Sequence, residues 1–120
     1  VIGAVTQSGT WTVQPGNTAN TTAWLVNEEK AATGTLSNVS ASASSVTVLA
    51  SNAARKHATF YNDSAAILYL KFGATASTTS FTVLVAGGGY YELPSGRIYT
   101  GIIDGIWGSA TGTVRVTELT

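Results

Sequence analysis

"RKHATFYNDSAAILYLKF", Arg55 to Phe72, decides how this chain is read. Ala58 and Phe60 alternate with His57, Thr59 and Tyr61; further on, Leu68, Leu70 and Phe72 alternate with Ile67, Tyr69 and Lys71. A period of two puts one set on a buried face and the other toward solvent, so each half reads as a half-buried strand. Between them Asn62-Asp63-Ser64 reads as a turn, because Asn and Asp tolerate left-handed backbone and bond their own main chain. The stretch also holds the chain's single histidine, beside two cations. It is therefore both the clearest strand pair and the first place to look for chemistry.

Outward from it, five more segments between residues 45 and 120 carry strand signals: "SVTVLA", "SFTVLV", "YYEL", "GIIDGIW" and "TVRVTEL". In the first, Val46, Val48 and Ala50 oppose Thr47 and Leu49; in the last, Val114 and Val116 oppose Arg115 and Thr117. Short apolar runs at this spacing, separated by turn residues, are the signature of a sandwich or barrel. Residues 1–44 differ. They are rich in Gly, Asn, Ser, Thr and Ala, with short candidate strands "TWTV" and "AWLV" separated by a Pro15-Gly16 turn. "SNVSASASS" has so little side-chain volume that it reads as a linker or as an extended arm lying on something else. The phrase Gly-Thr opens strand-like segments at Gly9, Gly34 and Gly112, without a fixed period. The expected organisation is an extended arm over 1–44 and a compact domain over 45–120.

Composition agrees and excludes several functions. The chain has 120 residues, with six Lys and Arg balanced by six Asp and Glu. No basic patch or charge run suggests a nucleic-acid footprint or a membrane anchor. Polarity comes from 19 Thr and 12 Ser, and Thr favours pleated surfaces. There is no Cys, so disulfides and thiolate metal sites are excluded. No apolar run is long enough to span a membrane as a helix. "VIGAVTQSGT" lacks the charged and apolar regions of a signal peptide, and the missing Met suggests a piece of a longer chain.

A nucleophilic triad needs a base, and His57 is the single imidazole, with Asp63 and Ser64 as its nearest possible partners. Zinc needs clustered His or Cys ligands and calcium needs several oxygen donors; six scattered carboxylates supply neither. Two of Glu92, Asp104 and Glu118 would form a carboxylate pair for glycoside hydrolysis only if the fold gathers them. "AGGGYYELPSG" lacks the Lys of a phosphate-binding loop and reads as a turn. No catalytic, metal or cofactor site is expected. Trp11, Trp24, Tyr90, Tyr91 and Trp107 are the candidate interface residues, because Tyr and Trp are enriched at interfaces.

The segment from Ala53 to Glu118 resembles a module that ends many tailed-bacteriophage virion proteins. The resemblance is carried by Ala53, Arg55, Ala58 and Thr59, by Tyr61-Asn62-Asp63-Ser64 and by Leu70-Lys71-Phe72-Gly73. It continues through Thr79-Ser80-Phe81-Thr82-Val83, Gly89-Tyr90-Tyr91-Glu92, Tyr99-Thr100-Gly101, Ile103-Asp104-Gly105-Ile106-Trp107 and Arg115-Val116-Thr117-Glu118. "QSGTWTVQPGNTANTTAWLV" is similar to the Gly-Thr-rich segments that precede such modules. The resemblance implies a virion structural component of capsid-decoration, head-fibre or tail-fibre type, and not an enzyme. The expectation is therefore an all-β chain: a small antiparallel β-sandwich or barrel, jelly-roll-like, with an extended N-terminal β-arm. It would bind the major capsid protein or another virion protein at the capsid surface, as a homo-oligomer, with a trimer expected, and with neither nucleic acid nor membrane as partner. The alternative is a tail-fibre or baseplate module that attaches the particle or recognises a host glycan.

Overall fold

A computed structural model describes residues 29–120, and all of its regular structure is β. Eight strands follow in order: β1 Gly34–Ser40, β2 Val46–Leu49, β3 His57–Asp63, β4 Leu68–Phe72, β5 Val83–Val85, β6 Tyr90–Glu92, β7 Ile103–Trp107 and β8 Thr113–Leu119. They form two four-stranded antiparallel sheets, in the orders β1-β8-β3-β6 and β2-β7-β4-β5. First pairs with last, second with seventh, third with sixth and fourth with fifth. This is one long ribbon folded at β4-β5 and rolled until β8 meets β3 and β7 meets β4. That topology is the jelly roll, the double-sheet solution that places every hairpin of the ribbon in one of two packed layers.

The core lies between the sheets. From the first come Ala58, Phe60, Val114 and Val116, all fully buried; from the second come Leu68, Leu70, Ile103 and Trp107. The alternation read on β3, β4 and β8 is the alternation observed, because one face of each strand meets the opposite sheet. In β2 it fails. The register shifts between Thr47 and Leu49, a bulge that turns both Val48 and Leu49 inward and leaves Ala50 exposed. The expected opposition of Leu49 to Val48 is thus corrected by one extra residue in the strand.

Two other expectations change. Asn62 and Asp63 belong to β3 rather than to the turn, and among the described residues none other than glycine has positive φ. Asn62 is fully buried, so its amide is an interior group and not a left-handed turn residue. The Gly34–Ser40 stretch is a full strand that pairs with β8 along its whole length, from Gly34 opposite Leu119 to Ser40 opposite Thr113. The expected boundary at residue 44 falls in the loop after β1, so the sandwich takes in its first strand from the segment expected to be the arm. "TWTV" and "AWLV" lie outside the described residues.

Candidate functional site: two outer faces and a sealed arginine

The "RKH" start of the opening stretch is divided among three environments. Arg55 is 3 % exposed. Its Nε donates to Glu118 Oε2 at 2.8 Å, and Nη1 donates to the carbonyls of Tyr99 at 2.8 Å and Gly101 at 3.0 Å. Nη2 donates to the Ala50 carbonyl. These bonds fasten the loop after β2 and the loop before β7 to β8, and occupy four of the five guanidinium donors. Lys56 Nζ donates to the Lys30 carbonyl at 2.7 Å, which ties down the chain leading into β1. His57 sits half-buried at the rim of a cleft of about 750 Å³, lined also by Glu29, Lys56, Ser95 and Ile98.

No catalytic arrangement is assembled by these residues. His57 and Asp63 lie on one face of the same strand but six residues apart, about 20 Å at strand rise. Asp63 instead accepts from Arg115, whose Nε and Nη2 both reach Oδ2 at 2.8 Å. Ser64 Oγ donates to Asn62 Oδ1 at 2.7 Å. The three carboxylates weighed for glycoside hydrolysis also stay apart. Glu118 points inward to Arg55, Glu92 lies on the outside of the first sheet and Asp104 on the outside of the second. Among the described residues no three His, Cys, Asp or Glu side chains gather as metal ligands.

The candidate interface residues separate in the same way. Tyr90 is 61 % exposed on edge strand β6. Tyr91, its neighbour, turns inward and packs on Phe60 with ring centroids 6.1 Å apart. Trp107 is 1 % exposed; its indole fills the core and its Nε1 donates to Asn62 Oδ1 at 3.4 Å. It is a core residue and not an interface residue, because β7 directs Ile103, Gly105 and Trp107 at the opposite sheet. Trp11 and Trp24 lie outside the described residues.

What sequence reading missed is the pair of outer faces. On the first sheet, register aligns Asn38, Arg115, Tyr61 and Tyr90 in one row across all four strands, and Leu36, Thr117, Thr59 and Glu92 in the next. Arg115 also donates to Asn38 Oδ1 at 3.3 Å, and the Tyr90 hydroxyl donates to Glu92 Oε2 at 2.8 Å. That hydrogen bond, with desolvation and the Glu92 charge behind it, raises the Tyr90 phenol above its ordinary pKa. Burial alone raises Tyr91. On the second sheet the outer row is apolar: Ile106, Tyr69 and Leu84 lie side by side on β7, β4 and β5. Phe81 meets the Tyr69 ring edge-on at 5.0 Å, and Ile67, two residues before Tyr69, falls on the same side by strand alternation. Ile67, Phe81 and Leu84 are 40 %, 39 % and 47 % exposed. The signal for both faces was present in the outward half of each alternation, but it needs the cross-strand register to become a surface.

At the other end of the apolar face the loop after β4 folds over. Lys71 Nζ donates to Ser80 Oγ at 2.8 Å and to the Thr75 carbonyl at 3.2 Å, while the Ala76 amide donates to Ser45 Oγ at 3.0 Å. Beneath it Asp104 is 6 % exposed, with Ser45 Oγ 3.5 Å from Oδ2 and no partner at Oδ1. Comparison with protein-family models, with characterised proteins and with solved structures finds no match for this chain.

Proposed function

We propose that this chain is a structural component of a bacteriophage virion, a decoration or cement protein seated on the head as a homo-oligomer, with the major capsid protein as its partner. The observation that carries the reading is the apolar outer row Ile106-Tyr69-Leu84, extended by Phe81 and Ile67 and bordered by edge strand β5. Removing such a row from water yields about 25 cal/mol per Å² of apolar surface. An edge strand beside it offers main-chain groups for pairing with a neighbouring chain. A protein that binds the assembled shell and not its dissociated subunits stabilises the shell by mass action. The resemblance over Ala53–Glu118 supplies the context, and the jelly-roll topology suits it, since that architecture serves in viral shells. The fold alone does not carry function; the exposed row does.

The test is made on particles. Those assembled without the protein should disrupt at lower temperature than complete ones, and re-addition of the full chain should restore resistance. Replacing Phe81 and Leu84 by Ser should reduce occupancy on the head by about tenfold or more, the equivalent of about 1.4 kcal/mol. Particles equally robust with and without the protein, or density found on the tail, overturn the head assignment.

A further inference from the structure

The outer face of the first sheet is built differently from the apolar face, and it is independent of the reading just given. Tyr61 and Tyr90 are directly opposed on β3 and β6 and are 42 % and 61 % exposed. The aromatic pairs among the described residues are Phe60–Tyr91, Tyr69–Phe81, Phe72–Tyr91 and Phe72–Tyr99, so neither of these two rings is engaged by another ring. Beside them stand hydrogen-bonding groups in fixed positions. Arg115 is held between Asp63 and Asn38, and Glu92 is held by the Tyr90 hydroxyl.

Charge selects the occupant. The single guanidinium is compensated in place by Asp63, and Glu92 is the remaining carboxylate, so this face has no positive field for nucleic acid, anionic lipid or a sulfated polymer. A neighbouring protein chain would bury these charged groups at a desolvation cost that the apolar face does not impose. A neutral polyhydroxylated chain fits both features. Its apolar ring faces can lie on exposed phenol rings, and its hydroxyls can accept from Arg115 and donate to Glu92 and Asp63. Four strands spaced at about 4.8 Å give a row about 14 Å across, enough for a short oligosaccharide. We infer that the face formed by Tyr61, Tyr90, Arg115, Asn38 and Glu92 binds a neutral glycan.

The test uses the full chain on an array of glucose-, mannose- and galactose-based neutral polysaccharides, with sialylated glycans and heparin alongside. Binding to at least one neutral polymer, little changed between low and moderate salt, is expected. Tyr61→Ala and Tyr90→Ala should each weaken it at least tenfold; both positions are exposed, and an unchanged melting temperature shows that the variants fold. Arg115→Gln should weaken binding as well, whereas Leu84→Ser on the opposite face should leave it unaltered. No neutral ligand on the array, binding confined to heparin or sialylated glycans and abolished by salt, or neutral binding indifferent to both tyrosine variants overturns the inference. So does an oligomer that dissociates in Tyr61→Ala or Tyr90→Ala, because the face would then be covered by a second copy. None of these outcomes bears on particle heat resistance, so failure here and failure of the cement role are separately visible.

Discussion

At the scale of single residues, two buried polar groups of this sandwich, Arg55 and Asn62, are each committed to several partners. Arg55 fastens three chain segments and Asn62 does the same at the other end of β3. The Asn62 amide Nδ2 donates to the carbonyls of Ala66 at 2.8 Å, Val85 at 3.0 Å and Ala86 at 3.1 Å, while Oδ1 accepts from Ser64 and Trp107. Removing one member of a buried pair leaves the other uncompensated. Arg55→Ala should therefore destabilise by about 3–5 kcal/mol. The double change Arg55→Met with Glu118→Leu should cost less than the single change; chemical denaturation of the three proteins measures the difference. Neither role was legible in the sequence. Arg55 reads there only as one of two cations beside the histidine and Asn62 as a turn residue, since nothing local distinguishes a polar group that the fold will bury.

The tyrosines allow a pH prediction at the same scale. The phenols of Tyr90 and Tyr91 are raised, the first by its bond to Glu92 and the second by burial. A phenol with a raised folded-state pKa keeps its proton longer in the native protein than in the unfolded chain. Stability is then unaffected below the ordinary phenol pKa and falls as pH rises above it, where the native state binds more protons. An ultraviolet titration should show late-ionising phenols, with one lost in Tyr90→Phe and one in Tyr91→Phe. Glu92→Gln should bring Tyr90 back toward its ordinary value; an unshifted titration would show that the Tyr90–Glu92 bond does not hold in solution.

At the scale of elements, the strands with a period-two pattern in the sequence were readable, whereas β1 was read only at its Gly34-Thr35 opening and from Ser37 onward as a linker or arm. β1 is exposed at six of its seven positions, so it carries no period-two hydrophobic signal. Its place comes from main-chain pairing to β8, which a reading of side chains does not register. β7 presents the opposite case, in which a small residue matters for what it lacks. Gly105 points inward, and a Cβ there would lie 2.7 Å from Val48 Cγ2 and 3.1 Å from Leu68 Cδ1. Gly105→Ala overpacks the core where β2 bulges, and should cost about 1–3 kcal/mol. Gly112 precedes β8 with φ of 99°, and a Cβ would approach Ser64 Cα to 2.8 Å. Gly112→Ala combines left-handed strain with a main-chain contact, so it should be the more damaging of the two. Thermal melts of both variants test the order, and reversal would mean that the turn before β8 relaxes more easily than the core.

At the scale of the whole molecule, the ribbon's nesting governs how it folds. Its outermost pair joins Gly34 to Leu119, and the tie closing it, Thr33 with Thr120, is bonded in both directions at 3.0 and 2.8 Å. Only β4-β5 and the segments near it are local; β2-β7 and β1-β8 close long stretches of chain before any contact rewards them. Such a topology belongs with the slow two-state folders, in the range of about milliseconds to seconds. The core links both sheets through Phe60, Leu70, Trp107 and Val116, so neither sheet can bury its inner face alone. Unfolding should then be one cooperative transition by tryptophan fluorescence and by far-ultraviolet dichroism. Leu70→Ala, at the centre of the core, should cost about 2–5 kcal/mol without separating the two probes. Refolding of the full chain by dilution from denaturant should give one main phase, slower than about a millisecond. Submillisecond recovery of both signals would mean that the hairpins form independently and that the nested pairing contributes little to the barrier.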